Sequence, residues 1–222
     1  MSNSPLPTLS LLETRVLGVL VEKQRTVPDT YPLTLNSLVA GCNQKTSRDP
    51  VLSASEAEVQ AAIDHLKTLS LIIESSGGRV MRYAHNVGRV LQVPTESVAL
   101  LAMLMLRGLQ TAGELRINCE RLHKFSDVSS VEGFLNELAE WPAGAFAIEL
   151  PRQPGARENR WAHLLAGQPI MEAYVTTSFG AESDVTVGEL AALKSNVARL
   201  EGEIASLKET VARLCLELGV ST

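Results

Sequence analysis

Aromatic side chains are scarce, only 4% of the 222 residues, although 45% of the chain is apolar. Any core must therefore be built from aliphatic residues, and that composition leans helical. Cysteine is just as sparse. Cys42, Cys119 and Cys215 are odd in number and widely spaced, so no disulfide framework is expected. Long apolar runs are missing too. The richest, SVALLAMLMLRGL, runs ten residues from Ser97 before Arg107 breaks it, well short of the ~20 that a membrane-spanning helix needs. No basic start followed by an apolar run stands at the N-terminus, so no signal peptide is expected. These absences point to a reduced, soluble, cytoplasmic protein. An excess of positive charge is also lacking. The net charge is −5, with 16 Lys/Arg against 17 Asp/Glu in residues 1–165 and 4 against 8 in residues 166–222. A wholly basic nucleic-acid binder is excluded, whereas a local cationic patch is not.

What is present is helical punctuation. Residues 1–9 read as a loose leader. Ser10 with Glu13 three residues on has the spacing of a capping box, and Leu12, Val16, Val19 and Leu20 then share one helical face. Pro28 and the PDTYP segment end that helix. Thr34 opens a second helix, and Ser55 with Glu58 opens a third whose buried stripe is Val59, Ile63, Leu66 and Leu69. LIIES and RVMRYAH then read as two strands joined at SGG. Three helices followed by a hairpin is the element order of a winged-helix domain. The order then repeats, with ESVALLAMLML, TAGELRINCERLH and VSSVEGFLNELAEW as helices and AFAIEL and ENRWAHLL as strands. Thr34 and Thr111, and Cys42 and Cys119, are both 77 residues apart; the tetrapeptides RYAH and RWAH are 78 apart. This order and spacing predict a tandem repeat. The fold class expected is α+β, mainly helical with small hairpins: one winged-helix domain over residues 10–90 and a second over 91–166.

Residues 167–187 lose periodicity and read as a linker. A heptad follows over 188–219. Leu190, Val197, Ile204, Val211 and Leu218 occupy a, while Leu193, Leu200, Leu207 and Leu214 occupy d. As a helix this seam is about 43 Å long at ~1.5 Å per residue. A lone helix with an exposed leucine seam scarcely recovers its ordering entropy, so the seam calls for a partner. β-Branched residues at three a positions with Leu at every d favour a parallel pair. The charges agree, because Glu189 would meet Lys194 and Glu203 would meet Lys208 across the pair. The alternative is that the helix folds back on its own domains. Cys215 falls at an e position and is expected as a free thiol.

The stretches LETRVLGVLVEKQRTVPDTYPLTLNSLVAGCNQKTSRDPV, ERLHKFSDV and LPRQPGARENRWAHLL resemble the bacterial YceH family over about residues 9–166. That resemblance implies a tandem winged-helix fold and a C-terminal coiled coil. It implies no activity and no assigned functional residues.

Candidate contact residues are cations near loops and hairpins. The segment NQKTSRDP carries Lys45 and Arg48 in a connection of about a dozen residues, too long for a compact DNA-reading turn. Asn43 suits a left-handed helix end and Asp49-Pro50 a turn, so turn chemistry explains most of the segment. The third helices argue against reading a major groove: the first opens with Glu56 and Glu58, and the second has no Lys or Arg. The hairpins carry Arg79, Arg82, Arg152, Arg157 and Arg160. These could touch phosphates, or could guard strand edges, and the matching positions of Arg82 and Arg160 suit a role in the fold. Cys119 and His123 at i, i+4 do not make a metal site on their own, and no second ligand pair stands nearby. No nucleophile elbow, phosphate loop or metalloprotease helix is present. No catalytic residue and no cofactor are expected. The leading reading is a non-enzymatic homodimer whose domains bind a protein partner. The alternative is a DNA-binding regulator working through the cations above.

Overall fold

The computed structural model describes residues 8–76, 80–153 and 155–169. The expected linker beyond Pro169, the heptad, Cys215 and Arg79 lie outside the described residues. Over the described part the chain is mixed α/β, with seven α-helices and two small antiparallel sheets.

Helix α1 (Leu11–Thr26) begins where the sequence predicts. The Ser10 hydroxyl accepts from the Glu13 amide and the Glu13 carboxylate accepts from the Ser10 amide. This satisfies donors that a first turn otherwise leaves open. The expected loose leader stops short of residue 9: Leu9 is buried, and its amide donates to the Leu165 carbonyl. A 3-10 turn at Pro28–Thr30 and a two-residue strand β1 (Leu33–Thr34) lead into α2 (Leu35–Cys42), capped by Thr34. Helix α3 (Glu56–Thr68) carries the Ser55–Glu58 capping box. Strands β2 (Ile72–Ser76) and β3 (Met81–His85) then form a hairpin, and β1 joins the other edge of β3 to give the order β1-β3-β2. A five-residue helix α4 (Val87–Leu91), unmarked by any side-chain cap, leads into the second half.

That half repeats the pattern with α5 (Thr95–Arg107), α6 (Ala112–Asn118), α7 (Val128–Ala139), β4 (Ala147–Leu150) and β5 (Arg160–His163). Helix α6 is shorter than its periodicity predicts. The helix ends at Asn118, and Cys119 caps it with its carbonyl accepting from Leu122 and His123, so His123 lies beyond the helix.

The two halves meet along α1 and α5. Gly18 marks the close approach: a Cβ there would lie 2.8 Å from Leu106 Cγ. Gly41 does the same between α2 and α1, where a Cβ would lie 2.5 Å from Val19 Cγ1. The two helices contribute Val16, Leu17, Leu20, Leu100, Leu101 and Leu104 to one continuous aliphatic core. All described residues belong to one compact unit that ends at Pro169.

The repeat extends to individual hydrogen bonds. Arg82 Nη1 donates to the Pro32 carbonyl at 2.8 Å, and Arg160 Nη1 donates to the Leu109 carbonyl at 2.8 Å. The Asn86 amide donates to Leu71 and the Leu164 amide to Phe146, each at 2.8 Å. Tyr83 pairs with Leu33 in β1, and Trp161 bridges to Gln110 at the corresponding place. Cys42 and Cys119 are both fully buried.

Candidate interaction surface

The segment NQKTSRDP is a staple. Asn43 closes α2 with its amide on the Val39 carbonyl, but at φ −92°, so the expected left-handed end is not used. Its side chain instead spans the loop. Asn43 Oδ1 accepts from the Ala54 amide and Nδ2 donates to the Ala54 carbonyl, both at 2.8 Å, which draws the two ends of the connection together. Ser47 takes the left-handed conformation at φ 60°. Its hydroxyl accepts from Arg107 Nη2 at 2.7 Å, while the Asp49 amide donates to the Leu106 carbonyl at 2.8 Å. The loop therefore ties the first half to the C-terminal end of α5.

Arg48 holds the centre of that staple, and this corrects its expected role as an exposed contact. Its side chain is fully buried. Nε donates to Gly41, Nη1 to Ser47 and Glu22 Oε1, and Nη2 to Glu22 Oε2 and Gln44. A guanidinium with every N–H group committed inside the fold has nothing left for phosphate. Burial pushes the Glu22 carboxyl upward, but the bonds from Arg48 and Lys23 outweigh it and hold the group below its ordinary range. Arg15 lies nearby, also fully buried, with Nη1 on the Cys42 carbonyl and Nη2 on the Pro50 carbonyl at 2.7 Å. Burial, and then the neighbouring Arg48 charge, lower its pKa. Burial also pushes the Cys42 thiol up to about 12, so it is no thiolate at neutral pH.

The remaining predicted cations divide. Arg82 and Arg160 are partly buried and serve the fold. Arg82 binds the Thr30 and Pro32 carbonyls; Arg160 binds Leu109 and, at 3.2–3.3 Å, Glu114. Lys45, Arg152 and Arg157 are exposed.

The outward faces of the third helices are acidic, as the sequence predicts. Glu56, Glu58 and Asp64 are exposed on α3; Glu132 and Glu137 are exposed on α7, with Glu140 at its end. Sequence reasoning missed a set of exposed residues near the start of α7. Arg116, Ile117, Glu120, Arg121, Lys124 and Val128 all face solvent there, and Ile117 is 70% exposed. Comparing the two repeats position by position would have singled out Ile117.

Among the described residues, histidine and cysteine do not assemble a reactive centre. Cys119 donates weakly to the Ala99 carbonyl, and His123 packs on Phe125 with ring centroids 4.7 Å apart. His85 Nε2 lies 2.8 Å from Gln24 Oε1, while the buried Nδ1 atoms of His85 and His163 have no hydrogen-bond partner. Burial lowers both histidines to about 4, with the Arg25 charge adding to the effect at His85. Both rings are therefore neutral at pH 7. A cavity of about 130 Å³ beside His85 is lined by Gln24, Arg25, Gly88, Thr95 and Val98, well below the ~300–1,000 Å³ typical of organic-ligand sites. Among the described residues, no group of three or more His, Cys, Asp or Glu side chains could hold a metal ion. Among the same residues, no helix is long and apolar enough to cross a membrane.

Residues 9–156 match the family model described as "Protein of unknown function, DUF480". A UPF0502 protein of Dechloromonas aromatica is 59% identical over 195 residues, covering 88% of this chain and 90% of its own length. UPF0502 proteins of Methylibium petroleiphilum and Leptothrix cholodnii are each 57% identical, covering 99% and 96% of this chain and 94% and 96% of their own lengths. With that match over two thirds of its length and relatives this similar end to end, the chain belongs to the DUF480/UPF0502 family.

Proposed function

We propose that the chain is a non-enzymatic, homodimeric adaptor or regulator that binds a protein partner through two winged-helix domains. In this reading each half is a winged-helix domain, residues 10–90 and 91–166, as the YceH resemblance implies. Residues 167–187 are a linker and 188–219 a parallel coiled coil that joins two copies in the cytoplasm. The observation that carries the reading is the pairing of Arg48 with Glu22 inside the fold. With it, Arg82 and Arg160 are tied to backbone carbonyls. Three cations that a phosphate-binding surface would need thus serve internal structure. The acidic faces of α3 and α7 add repulsion where a winged helix reads DNA. A protein partner faces no such penalty.

A second reading, a DNA-binding regulator, is favoured by one feature: Arg152 and Arg157 stay exposed on the β4–β5 hairpin. Fluorescence anisotropy of the full chain with mixed duplex DNA at low and moderate salt separates the two. The adaptor reading expects no salt-sensitive binding, and retention of a specific protein in a pull-down. Tight binding that falls steeply with salt, and weakens in the Arg152→Ala/Arg157→Ala double variant, would overturn it in favour of the regulator.

A further inference from the structure

The repeat supplies an internal control. A feature common to both halves serves the fold, whereas an exposed feature in one half alone asks for another explanation. At the sixth position after the helix cap, α2 has Ala40 and α6 has Ile117; at the first position of the third helix, α3 has Glu56 and α7 has Val128. All four are exposed, Ile117 at 70% and Val128 at 37%. The first half builds the same elements with a small residue and a charged one. Folding therefore does not require aliphatics at these places, and leaving them in water is unfavourable.

We infer that the end of the second half formed by the last turn of α6, the turn at 119–127 and the start of α7 is a two-fold contact with a second copy of this chain. Three observations select that occupant. First, Arg116 Nη2 donates to the Ser126 carbonyl at 3.3 Å, which ties the end of α6 to the approach of α7 and puts Ile117 and Val128 at one end of the half. Second, the surrounding charges balance: exposed Arg116, Arg121 and Lys124 stand against exposed Glu120, Asp127 and Glu132, and none of the six forms an ion pair among the described residues. Such a face does not select a polyanion or a strongly acidic or basic protein. It is complementary to itself, as a two-fold contact demands, with cations of one copy over carboxylates of the other. Third, apolar side chains sit within the charged set, and Ile117 can meet its own counterpart across the axis. The face is small, so it rests on the homodimer reading: the heptad seam holds the copies together and raises their effective concentration.

Cysteine cross-linking in the full chain tests this. Cys42 and Cys119 are fully buried, so a Cys215→Ser background leaves an introduced cysteine as the reactive thiol. Ile117→Cys should give a reducible two-chain species under mild oxidation, because a disulfide forms only where Cα atoms come within about 4.4–6.8 Å. Ala40→Cys, the same exposed position in the first half, should give none. Sedimentation of the same variants reports the mass independently. A dimer in which Ile117→Cys links no better than Ala40→Cys overturns the contact and leaves the homodimer standing. A monomer overturns the homodimer reading and the contact with it. Linking at Ile117 with Ala40→Cys silent is the result expected.

Discussion

Arg48 and Lys45 are three residues apart in one polar loop, yet they have opposite fates. Arg48 is buried against Glu22, whose side chain is only 14% exposed; Lys45 is in solvent. Arg48→Ala should destabilise the chain by about 3 kcal/mol, the lower end for breaking a buried pair, because the largely buried Glu22 carboxylate keeps only Lys23 as its charged partner. Lys45→Ala should stay within about 0.5 kcal/mol, as surface changes do. Urea unfolding followed by circular dichroism compares them, and similar costs would contradict the buried pairing. The difference was not legible in sequence. Glu22 lies 26 residues before Arg48, and nothing local marks a cation whose partner comes from another helix. Gly133 gives a contrasting case. It sits in the middle of α7, and a Cβ added there would meet nothing within 4 Å. Gly133→Ala should therefore stabilise the helix by about 0.5–1 kcal/mol, read as a higher urea midpoint. At Gly18 a Cβ would press on Leu106, and the same substitution should cost about 1–3 kcal/mol through overpacking.

At the scale of elements, the legible features were those with local chemistry. Ser10–Glu13, Ser55–Glu58 and Thr111–Glu114 each form the reciprocal cap that their spacing announces. The strands of both hairpins stand where alternation and turn residues place them. Elements too short for periodicity were not legible: β1 has two residues and α4 five. The end of α6 was overrun because Cys119-Glu-Arg-Leu continues an amphipathic pattern, while the backbone has already turned to bring Leu122 onto the Cys119 carbonyl. The arginine that opens each returning strand shows what repetition adds. Arg82 and Arg160 hold the segment before the second helix by equivalent bonds. Each alanine substitution should cost about 1–2 kcal/mol, the range for partly solvated bonds from a charged donor. Losses from both, with Arg160→Ala the larger because it also gives up the Glu114 pair, are the outcome that a shared structural role requires. A loss of DNA binding without a loss of stability would assign them to contact instead.

For the molecule as a whole, duplication leaves a pH signature. His85 and His163 occupy the same place at the ends of β3 and β5, and both are depressed to about 4 by burial, with Arg25 the charged neighbour acting on His85. An unfolded histidine titrates near ~6.5. Between these values the unfolded chain binds protons that the folded chain refuses, so stability is full above about 6.5 and falls as the pH drops toward 4. Each ring contributes a slope of up to about 1.4 kcal/mol per pH unit within that window. The carboxylates act lower. At Glu13, burial raises the pKa, but bonds from Ser10 and His65 bring it below 4.5; at Glu22 the Arg48 bonds do the same. Their stabilising effect is lost only as the pH falls below that value, so the histidine effect stands apart from it above about 4.5. His163 makes no hydrogen bond through its buried Nδ1, and an apolar replacement of similar volume removes an unpaired polar atom as well as a proton site. His163→Leu should therefore unfold at a higher urea concentration than the parent at pH 5, with the gap narrowing by pH 8 to the part that the unpaired Nδ1 alone accounts for. Its stability should also depend on pH about half as steeply between 6.5 and 4. An unchanged slope would mean that the ring is protonated in the folded protein, and that the second half is open enough for water to reach it.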